Sequence, residues 1–211
     1  MSYSKTIAKS ALALILSSSF SAYADGEPGK FDYYLLTLSW SPEYCAVVKK
    51  KDENQCNAQK HYGFVVHGLW PQYNKGYPST CAPASKVPDA IVQDMLPKMP
   101  SETLIQHEWD KHGTCSGKQV GEYFDLIKNS SQAVKIPDTL ADPKRPINTT
   151  VAKIREQFQS ANPNINMTIA CKGKFLQEVR ICLDKEMQSK ACSSDVKDSC
   201  PTPSVIMRPV R

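Results

Sequence analysis

The amino-acid sequence predicts a single α+β domain closed by disulfides, and three observations predict it. Segments with the two-residue period of strands are mixed with segments of helical period, without the regular strand–helix–strand alternation of a parallel sheet. No repeat, low-complexity block or long linker divides the chain, and its length favours one core. Eight cysteines (Cys45, Cys56, Cys81, Cys115, Cys171, Cys182, Cys192 and Cys200) all follow a leader of export type, where an even count reads as four disulfides.

The leader comes first. Lys5 and Lys9 form a basic start, residues 11–20 are apolar, and Ala22-Tyr23-Ala24 supplies the small-x-small cleavage pattern. We therefore expect residues 1–24 to be a signal peptide and residues 25–211 the functional domain. An apolar run of about ten residues is too short for a bilayer, which takes roughly 20, so no membrane span is expected. The destination this implies is the periplasm or the medium. Two of the formal charges behind the net +5 belong to Lys5 and Lys9. The mildly basic remainder suits a polyanionic ligand without predicting one.

Along the domain, residues 31–40 read as a strand, with Tyr34, Leu36, Leu38 and Trp40 on one face and Thr37 and Ser39 on the other. Lys49, Lys50 and Lys51 suggest a solvated loop. Residues 62–68 form a second strand, with Phe64 and Val66 opposed to Val65 and His67, and Pro71 and the Gly76/Pro78 region close it. A short helix over 87–96 is opened by Pro88. Ser101 can cap the next helix, which runs through His112 and stops at Gly113. Val120, Phe124 and Ile127 mark a helix, and so do Val151, Ile154 and Phe158. The connector 137–146 between them is rich in proline. Residues 165–170 and 175–183 predict two strands joined around Lys172-Gly173, and the C-terminal stretch is expected to be irregular.

Chemistry concentrates in two places. His67-Gly68-Leu69-Trp70-Pro71 and His107-Glu108-Trp109-Asp110-Lys111-His112-Gly113 hold three of the four histidines. At about 100° per residue, His107 and Lys111 lie in one column of the helix and Glu108 and His112 in the next. A zinc peptidase helix needs H-E-x-x-H, but the fourth residue after His107 is Lys111, and His112 lies roughly 140° from His107. The cysteines contain no C-x-x-C pair, so no metal cluster is expected, and full pairing leaves no thiol nucleophile. Two histidines, one taking a proton and one giving it, suit phosphodiester cleavage near neutral pH. Without a metal to activate water, the nucleophile within reach is a ribose 2′-hydroxyl, which makes RNA the expected substrate and leaves DNA uncut.

These two segments, with Trp40-Ser41-Pro42-Glu43-Tyr44-Cys45 and the cysteine order, resemble the ribonuclease T2 family over about residues 31–200. The resemblance implies a central, mainly antiparallel sheet packed by helices. It implies that His112 is the general base, His67 the general acid and His107 a phosphate ligand, with Glu108 and Lys111 stabilising the five-coordinate state. It implies a 2′,3′-cyclic phosphate product and no metal or organic cofactor. Spacing alone leaves the cysteine pairing open; the resemblance implies Cys45–Cys56, Cys81–Cys115, Cys171–Cys200 and Cys182–Cys192. Family members often carry an acidic residue after the Trp-Pro pair to help read the base. Gln72 stands there in this chain, so base preference does not carry over.

Trp70 is the expected stacking platform for a base, with Tyr73 or Tyr77 as a second. An isolated histidine is more often structural than catalytic, and His61 is read so; the motif context reverses this for His67 and His112. Glu108 has the bland alternative of a salt bridge to Lys111 or Lys118, and Lys111 that of a solvated helix lysine. Trp40 and Trp109 are expected in the core. Asn129, Asn148 and Asn166 begin glycosylation sequons, which matter only in a host that glycosylates exported proteins. A monomer is the simplest state for such a chain. The rival readings are a secreted RNA-binding or toxin-like protein that has lost catalysis, and a metallohydrolase.

Overall fold

The computed structural model describes residues 25–48, 52–57 and 59–210. The leader expected over 1–24 and the loop of Lys49, Lys50 and Lys51 lie outside the described residues. In chain order the first elements are β1 (Tyr33–Trp40), α1 (Ser41–Val47), α2 (Glu53–Cys56), β2 (Phe64–Gln72), α3 (Asp89–Met95) and α4 (Glu102–Lys111). A 3-10 turn (Gly113–Ser116) follows, then α5 (Val120–Ala133), α6 (Asp138–Ala141), β3 (Ile147–Thr150) and α7 (Val151–Ala161). The chain finishes with β4 (Met167–Lys172), β5 (Phe175–Leu183) and β6 (Ser204–Met207).

One sheet organises the molecule, in the order β2-β1-β5-β6-β3, with β4 also paired to β5. Every pairing is antiparallel except the single parallel contact of Phe175 in β5 with Ile206 in β6. The sheet is therefore mainly antiparallel, and the domain is α+β. In β1 the period of two divides the side chains between two layers. Tyr34, Leu36, Leu38 and Trp40 enter the main core with residues from all the longer helices, while Tyr33 and Leu35 pack with Cys182 in a smaller cluster. Thr37, on the same face as Tyr33 and Leu35, is buried as well.

Each long helix contributes an apolar stripe to that core. Ile105 of α4, Ile127 of α5, and Ile154 and Phe158 of α7 are fully buried, each worth about 1.5–3 kcal/mol relative to exposure. Tyr123 of α5 also donates its hydroxyl to the Leu69 carbonyl at 3.0 Å, seating that helix against β2. Ser101 caps α4, its Oγ accepting the Leu104 N–H at 3.2 Å.

Several boundaries differ from expectation. β2 continues through Pro71 to Gln72, because it is an edge strand in which a missing N–H is tolerated. α4 ends at Lys111, and His112 is its C-cap at φ −117°. Gly113 then opens the 3-10 turn, packed so closely on Trp109 and Tyr123 that a Cβ would overlap both rings. The C-terminal stretch contains β6, which pairs with β3, and the proline-rich connector contains the single turn α6.

Four disulfides form: Cys45–Cys56, Cys81–Cys115, Cys171–Cys200 and Cys182–Cys192. These are the pairs that the resemblance implies. Each adds roughly 2–4 kcal/mol by restricting the unfolded chain. Two of them frame the region described next. Cys81–Cys115 ties the segment after β2 to the turn that follows His112, and Cys182–Cys192 folds the segment after β5 back onto that strand.

Candidate active site

His67 owes its position to an irregularity in the sheet. Thr37 of β1 lies opposite Gly68, but the next residue, Leu38, lies opposite Val66, so His67 is the extra residue of a β-bulge. Bulges re-aim a side chain and recur beside active sites. Gly68 follows, and a Cβ there would overlap both the Glu108 carboxylate and the Trp70 indole N–H. The absent side chain lets α4 approach β2 closely enough for the two motifs to meet.

Glu108 is the point of contact. Its carboxylate is buried, at 1% relative exposure. The Trp70 indole N–H donates to Glu108 Oε2 at 2.7 Å, and His67 Nε2 lies 3.8 Å from Glu108 Oε1. Trp70 stacks on His112, with centroids 5.2 Å apart and planes at 26°, and turns its edge to His67 at the same separation. A cavity of about 460 Å³ opens over this cluster, lined by His67, Trp70, His107, Glu108, Lys111 and His112 among others. Six residues expected in the site are thus brought together.

The pKa values of His67 and His112 are shifted in opposite directions. His112 is lowered to about 3, chiefly by burial and further by the positive charge of Lys111, His107 and His67. For His67, burial also opposes the charge and is the largest single influence. The hydrogen bond that His67 donates to Glu178 and the charges of Glu108 and Glu178 together outweigh it, so its pKa rises. Burial pushes Glu108 up to about 7, despite His67, Trp70 and Lys111. His107 is lowered by burial, then by Lys111 and His67.

Tyr73 is not brought into the cleft. Its ring packs on the main core and its hydroxyl sits beside Gly26; the turn after Gln72 directs it away. Tyr77, 52% exposed, stands on the cavity lining instead. Gln72 also lines the cavity, though its amide donates to the Pro71 carbonyl. His61 is exposed and outside the lining. Trp40 and Trp109 are core residues. Among the described residues no group of three His, Cys, Asp or Glu side chains is placed to hold a metal ion.

Three polar residues of the site escape sequence reasoning. Glu178 Oε1 lies 2.9 Å from His67 Nδ1. Arg180 binds the other oxygen of Glu178 and lines the cavity. Asp195 accepts the Gly76 N–H at 2.6 Å across the cavity mouth. The one available signal was Glu178 and Arg180 sharing a face of β5.

A cleft that sets two histidines of opposite pKa shift around a buried carboxylate is equipped to give and take protons at one substrate. The comparisons with known proteins agree on what that substrate is. The family model described as "Ribonuclease T2 family" matches residues 31–192. A ribonuclease of Aeromonas hydrophila is 37% identical, over 95% of this chain and 97% of its own. A probable ribonuclease of Haemophilus influenzae is 29% identical, over 77% of this chain and 61% of its own. Among solved structures, an RNase-related protein from Calystegia sepium matches with a TM-score of 0.66 at 26% identity, covering 85% of this chain and 97% of that one. Trichomaglin, described as an S-like ribonuclease, matches in fold with a TM-score of 0.67 at 22% identity, over 86% of this chain and 100% of its own. The chain belongs to the ribonuclease T2 family and is an RNA-cleaving enzyme.

Proposed function

We propose that the protein is an endoribonuclease that cleaves single-stranded RNA by transesterification, with His112 as base and His67 as acid. The observation that carries this reading is the opposite bias of the two histidines around one cavity. His112, kept neutral, accepts the proton of the ribose 2′-hydroxyl as that oxygen attacks phosphorus. His67, whose pKa is raised by its carboxylate neighbours, gives its proton to the departing 5′-oxygen. The products are a 5′-hydroxyl and a 2′,3′-cyclic phosphate, which water opens later with the two roles exchanged.

The five-coordinate intermediate carries extra negative charge on its phosphoryl oxygens. The Lys111 ammonium and a ring N–H of His107 supply donors for it. Glu108, raised to about 7, is available as a neutral carboxylic acid that can donate to the same oxygens. Trp70 and Tyr77 offer ring faces and edges to a base. DNA lacks the 2′-hydroxyl and stays uncut. The reaction as written needs no metal or organic cofactor and only one copy of the chain.

Location follows from the same proposal. Residues 1–24 serve as a signal peptide, residues 25–211 are the catalytic domain, and the product is periplasmic or secreted. Four disulfides support an oxidising compartment.

The test is incubation of the oxidised protein with RNA and with matching DNA in excess EDTA, followed by analysis of the termini. We expect RNA alone to be cut, leaving 2′,3′-cyclic phosphate ends, and His67→Phe and His112→Phe to lose cleavage while keeping the fold. Recovery only with zinc would point to a metal-dependent hydrolase. RNA bound but never cut would point to a binding protein.

A further inference from the structure

We infer that Glu178 is a positioning residue for His67, locked in place by Arg180, and that it fixes which ring nitrogen of the acid faces the substrate. The inference rests on the reading of His67 as the acid.

Glu178 lies within β5, opposite Ser39 of β1 on one side and Ala170 of β4 on the other, so the backbone that carries it is held along both edges. Its side chain is buried, at 5% relative exposure. A buried carboxylate is costly unless each oxygen finds a donor. Here the oxygens are divided between two partners. Arg180 donates through Nε at 2.8 Å and lies with NH2 at 2.7 Å from Oε2, while Oε1 is left to His67 Nδ1 at 2.9 Å. Turning the carboxylate toward any other group would break one of these contacts.

The chemistry of the pair assigns the proton. An ionised carboxylate only accepts, so His67 must carry a hydrogen on Nδ1. Nε2 is then the nitrogen free to exchange protons, and it points toward the cleft beside Glu108 Oε1. During cleavage the proton leaves Nε2 for the 5′-oxygen while the Nδ1 proton stays bonded to Glu178. The neutral ring that results has its lone pair on Nε2, already aimed to accept a proton when the cyclic phosphate is opened. One fixed tautomer therefore serves both steps.

The bulge makes such an anchor necessary, because His67 has no cross-strand partner of its own to define its direction. The charged and titratable groups around it come from three elements. Glu178 and Arg180 project from β5, Glu108, His107, Lys111 and His112 belong to α4 and its C-cap, and Asp195 stands in the loop at the cavity mouth. Glu178 is the one in direct contact with Nδ1.

The test is the pH profile of kcat/KM for a dinucleoside phosphate with Glu178→Gln, an isosteric change that keeps an acceptor but removes the charge. We expect kcat to fall on the order of 10²-fold with KM within about threefold. The alkaline limb, which reports His67, should move about one unit toward acid, and the acid limb, which belongs to His112, should stay. Arg180→Gln should move the alkaline limb in the same direction by less. A Glu178→Gln enzyme with the wild-type rate and alkaline limb would overturn the inference. Should that variant misfold, nitrogen NMR of wild-type His67, recorded at a pH where the ring is neutral, decides: the Nδ1-protonated tautomer supports the inference, and the Nε2-protonated one overturns it. His67→Phe separates the two levels. If His67→Phe retains cleavage, the reading of His67 as the acid fails; if it is dead while Glu178→Gln is normal, only the role of Glu178 fails.

Discussion

Glycine 68 shows how much of this site depends on an atom that is not there. Its missing Cβ leaves the space in which the Glu108 carboxylate and the Trp70 indole meet. Gly68→Ala is expected to force them apart and to lower kcat by at least tenfold, since misplacement by about 1 Å can cost 10²-fold. Steady-state kinetics on a dinucleoside phosphate, beside a thermal melt to confirm folding, check this; unchanged kcat would remove the argument. At this scale the motifs were legible because His107, Glu108, Lys111 and His112 are close in sequence, and helical period alone groups them. Glu178 and Arg180 were not. They stand more than a hundred residues after His67, and a polar pair on a strand ordinarily faces water. Tyr73 was misplaced because a ring beside a motif carries no mark of which way its turn will send it.

At the scale of the element, the site is a strand edge and a helix end brought face to face. The helix was readable from its Ser101 cap and its apolar period, and the structure places the cap where the sequence predicts it. Ser101→Ala is expected to lower stability by about 1 kcal/mol, measured by urea denaturation, with little change in kcat because α4 remains held by Ile105 and Trp109 in the core. A loss of activity out of proportion to stability would show that the cap also sets the position of His107 and Glu108. The bulge at His67 was not readable. It is a property of two strands in register, and β2 alone looks like uninterrupted alternation. β3 and β6 were missed for the same reason: four residues are too few for a period, and each is defined by pairing, β3 with β6 and β6 with both β3 and β5.

On the scale of the whole molecule, the α+β class followed from the mixture of periods and the absence of strand–helix alternation, while strand order had no signature in the sequence. The cleft is assembled from segments that are distant along the chain and joined by sulfur. Lys111 and His112 precede the turn that Cys115 ties to Cys81, and Asp195 follows the short loop closed by Cys182 and Cys192. Reduction under non-denaturing conditions is therefore expected to abolish cleavage and lower the thermal midpoint, with activity returning on reoxidation; thiol titration alongside the RNA assay follows both. Full activity with all eight thiols free would contradict it.

If cleavage is lost on reduction, the oxidation of these thiols sets when the enzyme can act. A chain synthesised where thiols stay reduced carries every catalytic side chain without the frame that assembles them. Such a chain would leave the transcripts around it uncut. Oxidation would then be the step that turns cleavage on.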